Sequence, residues 1–208
     1  MNSKIETGPI REVFLEAAEY YVATVNAVAA NQWDLPGLGV WNIRALVGHT
    51  SRALLTVEQY SAEPLTETQV DSAITYFVRA LNEADSNEIA DRGKSAGIEL
   101  GADPAGTVRS IADRVLQGIA NVPDEAILGT PRGAVRMVDY LQTRVFELTV
   151  HTMDIQAALN QPLTPPQPAL LTTMRILADL AVAQGRGAEV ALALTGRNAL
   201  AWPFKLLP

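Results

Sequence analysis

Tyr140, Arg144, Glu147, His151 and Asp154 fall on one narrow stripe of the segment YLQTRVFELTVHTMDIQAA when it is wound at about 100° per residue. Met137, Leu141, Leu148, Ile155 and Leu159 flank that stripe on one side, and Phe146, Val150, Met153 and Ala157 on the other. Ionisable groups in the middle of an apolar arc predict a polar site inside a helix bundle, where charges must be paired or bound to a metal. Gln142, Thr149 and Gln156 take the opposite face, which the same pattern assigns to water.

Glu147 and His151 are four residues apart, one helical turn, so both can reach one ligand. The one other histidine, His49, lies in WNIRALVGHTSRALL, where Leu46, Ala53 and Tyr60 share its side of a helix. It too should point inward. Two His and one Glu form the ligand set of open catalytic zinc sites, and equally of the non-haem iron facial triad. A buried His is more commonly a hydrogen-bonded core residue. On pattern alone, the metal site and the polar core both stay open.

The elements that must position these residues follow from length and periodicity. A chain of 208 residues can bury about 70% of its unfolded surface and needs no disulfide. There is no cysteine, so the chain offers no nucleophilic thiol of its own, and a cytoplasmic location is expected. The first residues, MNSKIETGPIREV, contain no apolar run of the signal-peptide kind, and no segment approaches the roughly 20 apolar residues of a membrane span. The net charge of −7, with acidic residues dispersed, argues against nucleic acid and anionic membrane as partners.

Heptad-like spacing predicts a first helix over about 9–30, a second from Trp41 to about Tyr60, and a third from about Glu67 to Ala90. The glycine-rich DRGKSAGIELGADPAG reads as a loop with a short extended piece at Gly97–Leu100. Asp103-Pro104 opens a helix to about Asn121, VPDEAILGTPRG reads as a connector, and the long central helix spans about Ala134 to Leu159. Prolines in QPLTPPQP mark a boundary between residues 1–161 and an extension, 162–208, packed on the bundle. That extension holds a helix over about Ala169–Gln184 and the alternating run EVALALT, read as a strand that must pair with Gly97–Leu100, with Ala126–Leu128 or with a second subunit. A homodimer is thereby a possible partner arrangement. The fold class expected is mainly all-α. Trp41 reads as a core anchor or the wall of a pocket, Arg44 as pointing away from His49, and Trp33 and Trp202 as loop residues of open role.

Three segments resemble a known family. Trp41-Asn42-Ile43-Arg44-Ala45-Leu46-Val47-Gly48-His49 is similar to the W-x-V-R-D-L-V-x-H segment of the DinB-like metalloenzymes of actinobacteria, the mycothiol-dependent maleylpyruvate isomerase-like proteins. Arg144 to Ile155 resembles their R-x-x-E-x-x-V-H-T-x-D-I, and Leu194-Thr195-Gly196-Arg197 their closing L-T-G-R. The resemblance implies an up-down-down-up four-helix bundle holding a divalent metal, usually zinc, with nickel or iron as alternatives. By motif, its ligands here are His49, Glu147 and His151. Ala45 departs from the acidic residue usual at that position, and the tail after the bundle is shorter than the C-terminal domain of the isomerase itself, which argues against isomerase activity.

The function expected from this resemblance is thiol chemistry. A small-molecule thiol such as mycothiol, deprotonated at the metal, would attack an electrophilic substrate in an S-transferase or isomerase reaction. Arg144 and Asp154 are candidates for support of a ligand His or for substrate contact. A metal-dependent hydrolase and a non-catalytic metal-binding module are the rival readings.

Overall fold

A computed structural model describes residues 9–62, 64–201 and 203–206. Among these the chain is mainly helical, in the order α1 (Ile10–Asn26), α2 (Ile43–Ser61), β1 (Pro64–Leu65), α3 (Ala73–Asn82), α4 (Ser86–Glu99), α5 (Pro104–Ile119), β2 (Ile127–Thr130), β3 (Gly133–Arg136), α6 (Met137–Ala158), α7 (Gln167–Ala183) and α8 (Gly187–Leu194). No helix among the described residues is long and apolar enough to cross a membrane. Trp202 lies outside the described residues.

Helices α1, α5, α2 and α6 pack in a closed ring, each against the next. The apolar faces expected from periodicity fill its centre: Phe14 and Tyr21 of α1, Leu46 and Leu54 of α2, Val108 and Val115 of α5, and Leu141, Leu148 and Ile155 of α6 are all fully buried. Helix α7 packs on α1 and α6, α8 on α7, α3 on α6 and α7, and α4 on α2. A satellite cluster of Phe77, Phe146, Ile176 and Leu180 joins α3, α6 and α7.

Starts and stops follow local chemistry. Asn42 caps α2 through the Ala45 amide at 2.9 Å, and Asp103 caps α5 through the Gly106 amide at 3.0 Å, with Pro104 inside the first turn. The expected third helix over Glu67 to Ala90 is instead two. Ser72 caps α3 and Asp85 caps α4, the latter by accepting from the Asn87 and Glu88 amides at 2.8 and 3.2 Å. The sequence Asp85-Ser86-Asn87-Glu88 is itself a helix-start signal, and it outweighs continuation.

Three further expectations are corrected. The glycine-rich segment is not a loop with an extended piece: residues 91–99 of it are the second half of α4, where Gly93 and Gly97 admit close neighbours and do not break the helix, and only 100–103 connect α4 to α5. VPDEAILGTPRG holds β2, which pairs antiparallel with β3 in the register Leu128↔Val135 and with β1 in the register Leu65↔Ile127, so residues 134–136 are strand and not helix. EVALALT is helix α8. Alanine and leucine are strong helix formers, Arg186 pairs with Glu189 at 3.1 Å across its first turn, and Gly196 at φ 73° ends it while the Arg197 amide reaches back to the Leu192 carbonyl at 2.8 Å. The strand-pairing argument for a dimer falls with it.

The face of α6 assigned to water is also covered. Thr149 is fully buried and Gln156 nearly so, because α1 lies against them. Tyr20 donates to the Gln156 carbonyl oxygen, and Thr149 donates to its own helix at the Val145 carbonyl, 2.7 Å away. An uncharged polar side chain that bonds locally can be buried at little cost.

Close approach of α4 to α2 depends on small residues. A Cβ placed on Gly48 would lie 2.2 Å from the backbone nitrogen of Gly97, and one on Gly97 would lie 2.8 Å from Cα of Ala45. Gly48→Ala should therefore force the helices apart, costing about 1–3 kcal/mol. A melting curve should show a loss of several degrees, and an unchanged midpoint would contradict this contact.

Candidate metal centre

His49 sits in the second turn of α2, and Glu147 and His151 lie on successive turns of α6. Two contacts fix how these helices run. The His49 and His151 rings meet edge to face with centroids 4.9 Å apart, and Tyr140 donates to the Thr56 hydroxyl at 2.8 Å. Residue numbers rise along α2 as they fall along α6, so the pair is antiparallel. One ligand atom each from His49, Glu147 and His151 gathers within 4.8 Å of the others, the only such His/Cys/Asp/Glu cluster among the described residues.

The rings are held from outside the cluster. Asp154 Oδ2 lies 3.0 Å from His151 Nδ1, which places the proton of the neutral ring on Nδ1 and leaves Nε2 as a lone pair facing Glu147 Oε2 at 3.3 Å. Two acceptors in contact call for a cation between them, either a proton or a metal. His49 stacks against Trp41, ring centroids 4.4 Å apart, and its Nδ1 is buried without a hydrogen-bond partner among the described residues. Trp41 is itself fixed by its indole N–H, which donates to the Ala90 carbonyl at 2.9 Å, and by Gly93, where a Cβ would strike the indole at 2.5 Å. An orphaned imidazole nitrogen, a second imidazole oriented by a carboxylate, and a carboxylate oxygen make a donor set that fits a divalent cation such as zinc.

The electrostatics describe the site without a metal. Burial, aided by the neighbouring His151, pushes His49 down to about 4, so it is neutral at pH 7. Burial opposes charge on His151 as well, but hydrogen bonds with Asp154 and Glu147 outweigh it and raise the ring to about 9. Glu147 is depressed to about 2 because its contacts with His151 and the charge of Arg144 overcome burial. Without a metal, then, the proton on His151 is what compensates Glu147.

The stripe read from sequence is thus divided. Glu147 and His151 line a cleft with side-chain exposures of 24 and 17%, and Asp154, beside His151, keeps 29%. Asp154 supports a ligand His and does not pair with Arg144. Arg144 stacks instead over Tyr140 and Tyr76, 4.7 and 5.9 Å from the ring centroids, and donates from Nε to Thr143 at 3.0 Å. Tyr140, at the head of the stripe, is fully buried. Arg44 does point away from His49, donating to the Gly101 carbonyl at 2.9 Å beneath the buried Trp33 ring. Sequence reasoning passed over Arg52, which lies one turn beyond His49 and lines the cleft with Arg144. Its three-residue spacing from the ligand was the available signal.

A family model described as the mycothiol maleylpyruvate isomerase N-terminal domain matches residues 14–156. The chain belongs to this family. The match ends within α6, two residues after Asp154, and so spans all three residues of the cluster. No curated protein and no solved structure gives a match.

Two outcomes follow. Asp154→Asn, which weakens the acceptor that orients His151, should lower metal affinity about 10- to 100-fold with the fold intact, measured by competition with a chromophoric chelator. In metal-free protein, the raised His151 contributes stability that is complete below its ordinary value of 6.5 and is lost as pH rises through about 9. Melting temperature of chelator-treated protein should fall across that window, and His151→Gln should abolish the fall.

Proposed function

We propose that this chain is a divalent-metal-dependent enzyme that uses a small-molecule thiol, mycothiol or a close analogue, in an S-transferase or isomerase reaction on an electrophilic substrate. The observation that carries the reading is the convergence of His49, Glu147 and His151 at the edge of an open cleft of about 640 Å³, in a chain with no cysteine. The family description, with its reference to mycothiol, supports the thiol's identity. When bound, the cation, zinc in the first instance, supplies Lewis acidity that holds a thiol as its thiolate at neutral pH.

The chain's own residues supply the setting. His49 and His151 bind as neutral imidazoles and Glu147 as the single anion, which leaves net positive charge for a thiolate to neutralise. Asp154 keeps Nε2 of His151 turned toward the cluster, and Trp41 keeps His49 from rotating away. The cleft beside them, lined by Phe77, Phe146 and Val150 on one side, holds the electrophile and limits water.

A hydrolase is less well supported. Among the described residues lining the cleft Glu147 is the only carboxylate, and Asp154 is engaged by His151, so no base stands ready to activate a water.

The test is metal content of protein purified without a histidine tag, wild type beside His151→Ala, followed by titration of the cobalt-substituted protein with mycothiol. The expected result is about one metal per chain, lost in the variant, and a thiolate-to-cobalt absorption band on adding thiol. Metal without that band would overturn the thiol reading in favour of hydrolysis, and absence of any metal uptake would reduce the stripe to a structural polar network.

A further inference from the structure

The cleft carries a charge imbalance that the metal cluster does not use. Four arginines line it, Arg52, Arg92, Arg132 and Arg144, against the one carboxylate of Glu147. Arg92 is paired with Glu88 and Arg132 with Glu83, each at 3.2 Å. Arg52 and Arg144 have no carboxylate at ion-pair distance among the described residues, and beyond the single Nε bond to Thr143 neither guanidinium donates to a protein acceptor there. A guanidinium does not deprotonate, so this pair presents fixed positive charge.

Their positions coincide. With His49 facing His151 and Thr56 facing Tyr140, Arg52 and Arg144 fall at the same level of the antiparallel pair, one turn from the cluster on opposite helices. Two guanidinium groups flanking a cleft match the oxygens of one carboxylate. The adjoining wall is different in kind. Phe77 and Leu81 of α3 and Phe146 and Val150 of α6 line it, and they belong to the apolar satellite cluster. A ligand that satisfies both surfaces has an acidic end and an apolar body.

We infer that the cleft binds an amphiphilic carboxylic acid, its carboxylate between Arg52 and Arg144 and its carbon skeleton along Phe77, Leu81, Phe146 and Val150. Building on the thiol reading, this is the substrate class of the electrophile: its carboxylate anchored one turn from the cluster leaves the chain beyond it to reach the thiol.

Calorimetric titration of the protein as purified, with and without chelator, compares octanoate, which has both features, with octanol and acetate, which have one each. Octanoate should bind at least tenfold more tightly than either, with or without chelator. Arg52→Gln and Arg144→Gln should each reduce octanoate affinity about tenfold toward that of octanol and leave octanol unchanged. Arg144 is stacked between tyrosines, so Arg144→Lys, which keeps the charge, and the less enclosed Arg52→Gln decide the matter if Arg144→Gln fails to fold. Octanol binding as well as octanoate, octanoate binding indifferent to both arginines, or binding abolished by chelator alone would each overturn the assignment. The cobalt–thiol band is read without acid present. Its loss with octanoate binding intact retires the thiol chemistry and leaves the acid site, and the converse result retires the acid site alone.

Discussion

The register between α2 and α6 is the constraint on which the site depends. Neither helix holds a complete ligand set: α6 offers Glu147 and His151 a turn apart, and α2 offers His49. A shift of one residue along α2 would rotate His49, and one along α6 would rotate Glu147 and His151, by about 100° and out of reach of the others. The register is pinned at both ends, by the hydrogen bond from Tyr140 to Thr56 and by the meeting of the two imidazoles. Between those points the buried Leu54, Leu141 and Leu148 exclude other alignments by packing alone. The same register sets Arg52 level with Arg144, so the cationic end of the cleft is a product of the packing that assembles the cluster.

Electrostatics give the cleft a character opposite to that of the protein. A chain of net charge −7 repels anions at long range, and this repulsion is screened within about 10 Å at ordinary ionic strength. Inside the cleft the local charge is positive, and stacking over two tyrosine rings lets the Arg144 guanidinium lie low in the wall with no carboxylate at ion-pair distance among the described residues. Buried cations without carboxylates are costly unless something binds them. The two surfaces together favour a ligand whose charge is localised at one end.

Much of this was legible in the sequence because it depended on period and spacing. Helices α1, α2, α5 and α7 and most of α6 follow from apolar periodicity, and the convergence of His49 with Glu147 and His151 follows from which faces they share. What was not legible depended on tertiary contact. Gly93 and Gly97 look like breakers until Trp41 is seen to press on the first and α2 on the second. EVALALT satisfies strand alternation and helix propensity alike, and with no neighbouring strand to pair with, propensity decides. Thr149 and Gln156 read as solvated because polarity alone does not reveal that α1 lies against this face, that Thr149 bonds back to its own helix, and that Gln156 bonds across to Tyr20. The stripe itself misled in one respect: its charged members open onto a cleft, while the uncharged polar face opposite is the buried one.

The two imidazoles of the cluster are oriented by different means, and that difference traces to small residues. His151 is turned by a carboxylate three residues on, an arrangement internal to α6 that raises the basicity of the ring. His49 has no such partner and is positioned by Trp41, which in turn rests on α4. Helix α4 can come that close only because Ala45 and Gly48 face Gly97 with no side chain beyond a methyl between them, and Ala45 is nearly inaccessible. An acidic side chain at position 45 would meet the backbone of α4 at that contact. Alanine at position 45 is therefore coupled to the docking of α4, and through Trp41 to the placement of His49.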